Sequence, residues 1–352
     1  MLKAFYKKHT LHFKKPGGTS RGVLREKDSW FLIVYNDQQP EKKGIGECSI
    51  IPLLSVDDRP DYEQKLTEVT NNIGNYNYWL NEGLAEFPSV RFGLETAMKD
   101  LHAATPRVLF PSEFTSGKKS IPINGLVWMG LFDEMYRQIR EKVEQGFRCV
   151  KLKIGAIDFE EELTLLRRIR KEFSEKDMEL RVDANGAFTP LETLEKLKRL
   201  AELQLHSIEQ PIRQNQWEEM ARICALSPVP VALDEELIGI NKPEKISNML
   251  DVINPQYIIL KPSLLGGWQP SELFISKAEK RNIGWWITSA LEANIGLNAI
   301  AQWAFTLNSD MYQGLGTGQL YANNIPSPLT IKNARLYYDD DGLWDVKSII
   351  DE

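Results

Sequence analysis

Five short apolar segments between residues 149 and 262 end in charged residues that suit one kind of chemistry. Three of these ends carry carboxylates, at Asp183, Glu209 and Asp234, and the first and last carry lysines. Carboxylates that converge on one site repel each other unless a cation lies among them, and hard oxygen ligands suit Mg²⁺, or Mn²⁺ in its place. The pattern therefore predicts that these three residues bind a divalent metal ion.

Lysines flank the carboxylates on both sides, in Lys151-Leu152-Lys153 and at Lys261. Because side chains two residues apart on a strand point to the same face, we expect Lys151 and Lys153 to face the site together. Three protein ligands leave positions on Mg²⁺ for a substrate carboxylate, whose neighbouring C–H becomes more acidic. A lysine can remove that proton if burial and neighbouring cations, such as Mg²⁺ and a second lysine, lower its pKa, and the Lys151/Lys153 pair supplies that environment. A glycosidase-type set of carboxylates is the alternative, and the inward lysines count against it.

The elements that must position these residues lie in the C-terminal two thirds of the chain. After Ser120, short apolar segments alternate with helical segments, which predicts a parallel sheet with crossover helices. Eight such units recur every ~25 to 30 residues, which predicts an α/β fold with a (β/α) barrel whose catalytic residues sit at the C-terminal strand ends. The predicted strands are 121–126, 149–154, 180–183, 207–209, 231–234, 257–261, 284–289 and 311–316.

The N-terminal part of the chain shows a different pattern. Apolar runs separated by turn-rich segments at 3–47 predict an antiparallel meander, and helical spacing follows at 61–104. We therefore predict two domains, an α+β capping domain at 1–115 and a barrel at 116–325. The C-terminal segment 326–352 is again strand-like, and we expect it to pack back on the capping domain.

The amino-acid composition limits the classes of protein to which this chain can belong. The 352 residues carry a net charge of −6 and are 42% hydrophobic, which fits a globular enzyme and argues against a nucleic-acid partner. Cys48, Cys149 and Cys224 lack CxxC spacing, so we predict free thiols in a reducing compartment. No apolar stretch of about 18 residues and no signal-peptide core occurs, which predicts a cytoplasmic protein with no membrane partner. The choice between monomer and homo-oligomer stays open.

The charged strand ends belong to five motifs. They are Lys-x-Lys at 151–153, Asp-Ala-Asn at 183–185, Glu-Gln-Pro at 209–211, Asp-Glu-Glu at 234–236 and Leu-Lys-Pro at 260–262. Their order resembles the muconate-lactonizing-enzyme subgroup of the enolase superfamily along nearly the whole chain. The resemblance implies an enolase-type barrel, which is a modified TIM barrel, with an N-terminal α+β capping domain.

The resemblance also implies roles for the site residues. Metal ligation falls to the three carboxylates named above, and Lys153 and Lys261 are expected on opposite faces of the substrate. Lys151 is expected to tune Lys153 without transferring a proton itself. The four histidines lie outside strand seven, which disfavours the subgroups that place a histidine base there.

The predicted strands seven and eight narrow the choice of enzyme activity within the subgroup. The segments at 287–296 and 314–318 resemble those of the o-succinylbenzoate synthase family, which implies a hydro-lyase of menaquinone biosynthesis acting on a small carboxylate. The alternatives are an N-acylamino acid racemase, which needs both Lys153 and Lys261, and a dipeptide epimerase. Epimerases usually carry Asp-x-Asp where this chain has Gly316-Thr317-Gly318, so the ammonium group of a dipeptide would lack its partner.

Several residues are expected to hold the substrate or to orient the catalytic groups. Capping-domain loops at 16–22 and 46–54 are expected to shield the site from water. Asn185 and Glu235 are expected to orient the metal ligands and lysines. The predicted substrate-binding residues are Ser289 with nearby backbone N–H groups, Gly316, Thr317 and Arg21.

Overall fold

The chain begins with a three-stranded antiparallel sheet and continues into a curled parallel sheet. The structure, a computed structural model, describes residues 1–19, 22–339 and 341–350. The strands are β1 (Leu2–Thr19), β2 (Gly22–Asn36), β3 (Gln39–Ser49), β4 (Ile121–Pro122), β5 (Gly125–Val127), β6 (Cys149–Lys153), β7 (Glu179–Asp183), β8 (Ser207–Glu209), β9 (Val231–Leu233), β10 (Tyr257–Leu260), β11 (Gly284–Ile287), β12 (Leu329–Lys332) and β13 (Arg335–Tyr338). The helices are α1 (Tyr62–Asn71), α2 (Tyr76–Tyr78), α3 (Pro88–His102), α4 (Phe132–Glu144), α5 (Phe159–Glu172), α6 (Pro190–Ala201), α7 (Trp217–Leu226), α8 (Pro243–Ile253), α9 (Pro262–Leu265), α10 (Trp268–Glu279), α11 (Asn294–Thr306) and α12 (Lys347–Ile350).

Strand β2 has apolar residues on both of its faces. Leu32 and Val34 pack into one buried cluster with residues of α1 and α3. Phe31 and Ile33 point the other way and pack with Ile295 of α11. Because successive side chains of a strand point to opposite faces, this continuous apolar run joins the helices of the N-terminal module to the barrel.

Helix α3 lies directly on strand β3. A Cβ atom at Gly46 would come within 1.8 Å of the carbonyl oxygen of Gly93, and one at Gly44 within 2.1 Å of that of Ala97. Only glycine allows such a close approach of a strand to a helix. These two positions therefore set the spacing of the N-terminal module.

The parallel sheet has the strand order β5 to β11, each strand beside the next in sequence. Two of the helices between the strands, α5 and α6, begin with hydrogen-bonded N-terminal caps. The Asp158 side chain accepts a 2.9 Å hydrogen bond from the backbone of Glu160 at the start of α5, and Thr189 and Glu192 form a capping box at the start of α6. These caps satisfy backbone N–H groups at the starts of α5 and α6.

The first predicted barrel strand, 121–126, is divided in the structure. β4 pairs with β13, whereas β5 pairs with β6 of the barrel. Between them, Ile123 donates its N–H to the carbonyl of Ala334. Pro122 has no N–H to donate to a continuous ladder, so the segment changes partners at this point.

The eighth predicted strand, 311–316, forms two isolated β-bridges in the structure instead of a regular strand. Gln313 pairs with Ile123 and Gly314 pairs with Thr288, both in parallel. Gly314 donates its N–H to the carbonyl of Ile287 at 2.8 Å. The segment therefore closes the barrel between its first and seventh strands, although it is too short to form a regular strand.

The C-terminal segment contacts both parts of the molecule. The β12–β13 hairpin pairs with β4 through Leu336 and Ile121. Further on, Trp344 and Ile349 pack in the cluster that contains Leu11 of β1. The domain boundaries at residues 115 and 325 stay predictions.

Two predictions from composition can be placed on the structure. Cys48, Cys149 and Cys224 are all buried and unpaired by disulfides. Burial raises the pKa of the Cys224 thiol to about 12, which keeps it protonated and unreactive. Across residues 1–19, 22–339 and 341–350, no helix combines the length and apolar character needed to cross a membrane.

Candidate active site

A cavity of about 790 Å³ lies between the C-terminal ends of the barrel strands and the N-terminal module. The barrel contributes Lys153 and Lys261, and the module contributes Pro16, Gly18 and the loop 51–54. This volume is in the range of small-molecule sites. The loops that were expected to shield the site therefore line the cavity in the part of the chain that the structure describes.

Three carboxylates converge beneath this cavity. Asp183 ends β7 and Glu209 ends β8, and the two are direct partners in the parallel ladder. Asp234 follows β9, the next strand. Their residues are 0%, 1% and 2% exposed, respectively. Ionised carboxylates this deeply buried require cationic partners.

Lysine ammonium groups supply those partners. The Lys151 Nζ donates to Asp183 Oδ2 at 3.0 Å and to Glu209 Oε2 at 2.8 Å. Lys153, two residues on along β6, reaches the same Asp183 oxygen at 3.0 Å. Lys261, after β10, forms an ion pair with Asp234. The structure thus brings all six predicted residues into one charged network.

The charges around Lys151 and Asp183 shift the pKa values of both groups. Burial opposes the charged form of Lys151, but the charges of Asp183 and Glu209 outweigh it and hold its pKa above the ordinary value. Burial likewise opposes ionisation of Asp183, yet the ammonium groups of Lys151 and Lys153 hold the pKa of this carboxyl below its ordinary value. Nearby carboxylates therefore act on Lys151 more strongly than its neighbouring lysine does, and a lowered pKa for the base lysine beside bound Mg²⁺ stays a prediction.

Asn185 and Glu235 form a chain of hydrogen bonds that ends on Lys153. The Lys153 Nζ donates to Asn185 Oδ1 at 2.6 Å, and Asn185 Nδ2 donates to Glu235 Oε1 at 3.0 Å. Asn185 has φ of +45°, in the left-handed region that asparagine tolerates. This backbone turn directs its amide back towards the lysine.

The opposite wall of the cavity comes from the ends of strands seven and eight. Ser289, Gly316 and Thr317 all line it, and the Ser289 and Thr317 hydroxyls are 2.7 Å apart. The backbone N–H groups of Ser289 and Ala290 donate within the protein, to Gly314 O and to the side chain of Glu292. These two amides are therefore engaged within the protein, and the binding of substrate by backbone N–H groups near Ser289 stays a prediction. Arg21 lies outside the described residues.

Sequence reasoning gave no role to Gln210 or Glu236, although both occur in the quoted motifs. Gln210 Oε1 accepts the backbone N–H of Asp234 at 3.2 Å, and its Nε2 lies 3.3 Å from Glu236 Oε2. Glu236 also accepts from the Trp217 indole at 2.7 Å. These contacts hold the turn that presents Asp234. The positive φ of Gln210, +38°, depends on the fold and left no signal beyond the Glu-Gln-Pro motif.

The donor chemistry of the three carboxylates fits a divalent cation. They are hard oxygen donors on three adjacent strand ends, and they are buried beside a cavity that a substrate can enter. Among the described residues, no group of three or more His, Cys, Asp or Glu side chains is placed as a ready metal cage. Lys151 instead lies between two of the three carboxylates. The fit therefore rests on donor type and burial.

Fold and site together define the class of protein. A capped (β/α) barrel with carboxylates and lysines at one mouth suits an enzyme that removes a proton beside a carboxylate. The chain belongs to the enolase superfamily, because the family described as Enolase C-terminal domain-like matches residues 134–343. Members of this superfamily generally depend on a divalent metal ion. The predicted fold class and the resemblance to the muconate-lactonizing-enzyme subgroup are confirmed.

Known relatives cover nearly the whole chain. The o-succinylbenzoate synthase of Desulfotalea psychrophila (strain LSv54 / DSM 12343) is 47% identical over 94% of this chain and 97% of its own length. The crystal structure of MenC from Desulfotalea psychrophila LSv54 gives a TM-score of 0.86 at 43% identity, covering 96% of this chain and 99% of that one. Muconate lactonizing enzyme from Pseudomonas fluorescens gives 0.79 at 21% identity, covering 96% and 93%, which supports the fold alone.

Proposed function

We propose that this chain catalyses the o-succinylbenzoate synthase reaction with Mg²⁺ as its metal ion. The reaction removes water from 2-succinyl-6-hydroxy-2,4-cyclohexadiene-1-carboxylate and gives an aromatic product. The observation that carries the proposal is the 47% identity to an o-succinylbenzoate synthase over almost the full length of both chains. The network of three lysines and three carboxylates at the cavity supplies the groups that such an elimination requires.

Lys153 is the proposed base. In its neutral form, its Nζ accepts the proton on the carbon beside the ring carboxylate, and the electron pair forms the new double bond as the C–O bond breaks. The departing hydroxide takes a proton from the Lys153 ammonium and leaves as water. The Lys153 Nζ donates a 2.6 Å hydrogen bond to Asn185 Oδ1, and this bond orients the Nζ towards the cavity. One residue thus removes and returns the proton.

Lys261 has a different proposed role. Burial opposes its charge, but Asp234 outweighs this effect and raises the pKa of Lys261 above its ordinary value. A lysine that stays protonated stabilises negative charge on the substrate instead of removing a proton. Lys151 remains bound to Asp183 and Glu209 and, in our proposal, tunes Lys153. When bound by Asp183, Glu209 and Asp234, Mg²⁺ supplies positive charge beside the substrate carboxylate.

The proposed substrate-binding residues are those of the far cavity wall. The Ser289 and Thr317 hydroxyls face the cavity as a pair and can donate to a succinyl carboxylate. Gly316 leaves space beside them. Arg21, in the loop 16–22, is kept in the proposal as a partner for the succinyl carboxylate.

An N-acylamino acid racemase is the second candidate. It is favoured by the presence of two lysines, Lys153 and Lys261, at one cavity, since racemisation needs an acid–base partner on each face. A dipeptide epimerase is less suited, because the strand-eight segment has no carboxylate for an ammonium group. Menaquinone biosynthesis and a cytoplasmic location are further parts of the proposal, and the oligomeric state stays open.

The test is the loss of cyclohexadiene absorbance when purified protein and Mg²⁺ are added to the substrate. EDTA-treated protein and Lys153→Ala are expected to be inactive, whereas Lys198→Ala, at an exposed lysine, is expected to match the wild type. No absorbance loss with the intact protein would overturn the proposal. Solvent deuterium incorporated into both enantiomers of an N-succinylamino acid would then support the racemase.

A further inference from the structure

A buried carboxylate, Glu292, lies just behind the cavity wall. It is 0% exposed. Its Oε2 accepts the backbone N–H of Ala290 at 2.7 Å, and its Oε1 accepts a hydrogen bond from the Ser263 hydroxyl. Burial, with a further contribution from the charge of Glu47, raises the pKa of Glu292 to about 6. Both carboxylate oxygens thus act as hydrogen-bond acceptors within the protein.

These two hydrogen bonds join two parts of the active site. Ser263 lies in α9, two residues after Lys261. Ala290 and Leu291 line the cavity on the opposite wall. Glu292 thus connects the turn that carries a catalytic lysine with the wall that faces the substrate.

The same carboxylate belongs to a network that reaches the N-terminal module. Glu47 of β3 accepts the backbone N–H groups of Ala293 and Gly296 at 2.8 Å each, at the start of α11. It also accepts from the Ser29 hydroxyl at 2.8 Å. A Cβ atom at Gly296 would come 2.8 Å from the Glu292 side chain and 3.0 Å from Glu47 Oε2. The module is therefore held directly against the loop that contains Glu292.

The side chain of Lys27, in β2, lies within the electrostatic influence of the Glu47 and Glu292 carboxylates. It is 2% exposed and donates to the Ser49 hydroxyl at 2.5 Å and the Ser29 hydroxyl at 3.0 Å. Burial lowers the pKa of Lys27 below its ordinary value, and the charges of Glu47 and Glu292 act in the opposite direction. One buried cation thus faces a carboxylate from the module and a carboxylate from the barrel.

We propose that Glu292 is a positioning residue for the reaction, which fixes the separation between Lys261 and the cavity wall at 289–291 and keeps that wall in register with the N-terminal module. The inference rests on the proposed function. Reaction rates fall steeply when reacting groups are misplaced by as little as ~1 Å. The bonds from Ser263 and Ala290 set this separation without contacting the substrate.

The experiment compares Glu292→Ala and Glu292→Gln in the full-length enzyme with Mg²⁺. The alanine variant is expected to lose kcat/KM by roughly tenfold to a hundredfold. Glutamine can accept from Ala290 with its oxygen and donate to the Ser263 hydroxyl with its amide, so it is expected to restore most of that loss. The matched control is Glu95→Ala, since Glu95 is a largely buried carboxylate that joins α3 to the backbone of Trp268 away from the cavity.

The outcomes separate a positioning role from a structural one. If Glu95→Ala lowers Tm but leaves kcat/KM unchanged while Glu292→Ala lowers kcat/KM, the proposal stands. It is overturned if Glu292→Ala keeps wild-type kcat/KM, if both variants lose activity only in proportion to Tm, or if a folded Glu292→Gln shows no recovery. A wild-type protein without the dehydration activity would instead overturn the proposed function.

A second pair of variants tests the link to Lys261 if Glu292→Ala does not fold. Ser263→Ala removes one donor to Glu292 and is expected to lower kcat more than it raises KM. Ser271→Ala is the matched control, because this buried serine of α10 donates to the carbonyl of Gly267 at 2.7 Å, outside the network. Equal kinetics for the two serine variants would overturn the proposal.

Discussion

The ammonium group of Lys153 donates a 2.6 Å hydrogen bond to the side-chain oxygen of Asn185, whose backbone is in the left-handed region. Lys153 ends β6 and Asn185 lies two residues after the end of β7, so the contact depends on the parallel register that places Lys153 opposite Asp183. Asn185 also donates its own backbone N–H to Asp183 Oδ1 at 3.0 Å. One asparagine therefore orients both the proposed base and a proposed metal ligand.

Replacing Asn185 with glycine tests this orientation. Glycine adopts the same backbone conformation without strain, so Asn185→Gly removes only the side chain. We expect kcat to fall roughly tenfold to a hundredfold with a smaller change in KM. The matched control is Asn254→Gly at the C-terminal cap of α8, which shares the left-handed backbone. Similar kcat values for the two variants would show that Asn185 does not orient the base.

Lys151→Met tests whether the ammonium group of Lys151 compensates the negative charges of Asp183 and Glu209. The change leaves Asp183 and Glu209 without the ammonium group that lies between them. We expect the metal-free variant to lose about 3–5 kcal/mol of unfolding free energy, as for other broken buried ion pairs. Added Mg²⁺ should raise the Tm of this variant more than that of the wild type or of Lys198→Met. An equal Mg²⁺ response in all three proteins would contradict metal binding at these carboxylates.

Asp57 makes folding stability depend on pH. It is 0% exposed, accepts the backbone N–H and the hydroxyl of Ser89 at 2.8 and 2.6 Å, and has its pKa raised by burial to about 6. Because the folded carboxyl binds a proton more tightly than the unfolded one, this group adds stability as pH falls from above 6 towards 4.

Asp57→Asn removes that titration. The free energy of unfolding of the variant minus that of the wild type is expected to decrease from pH 8 to pH 5, by about 1.4 kcal/mol. Urea denaturation at both pH values measures the difference. A difference that stays constant or increases towards pH 5 would show that Asp57 has no raised pKa.

Gly46→Ala tests the packing of α3 on β3. The added Cβ would collide with the backbone carbonyl of Gly93, which cannot move without displacing the helix. We expect a loss of at least about 3 kcal/mol in unfolding free energy, the upper range for overpacking. Gly74→Ala is the control, because its Cβ would meet no atom within 4 Å. Denaturant midpoints of the two variants should differ clearly, and equal midpoints would contradict the close approach.

The amino-acid sequence by itself determined the groups that meet at the site. Lys151, Lys153, Asp183, Glu209 and Lys261 could be assigned because each ends or follows a short apolar strand. Parallel strands of a barrel end at the same rim, so local position along the chain is enough to predict convergence. The regular β6 and β7 strands followed from the same local patterns.

Only the tertiary structure decided how these groups are paired. The sequence could not show that Lys151 lies between two carboxylates, that 311–316 closes the barrel by two bridges, or that Glu47 binds the start of α11 across 246 residues. Periodicity reports which face of an element is apolar, but it carries no information on which distant element covers that face. The charges of Lys151 and Glu292 are set by those distant neighbours, because burial and nearby charges act through space and not along the chain.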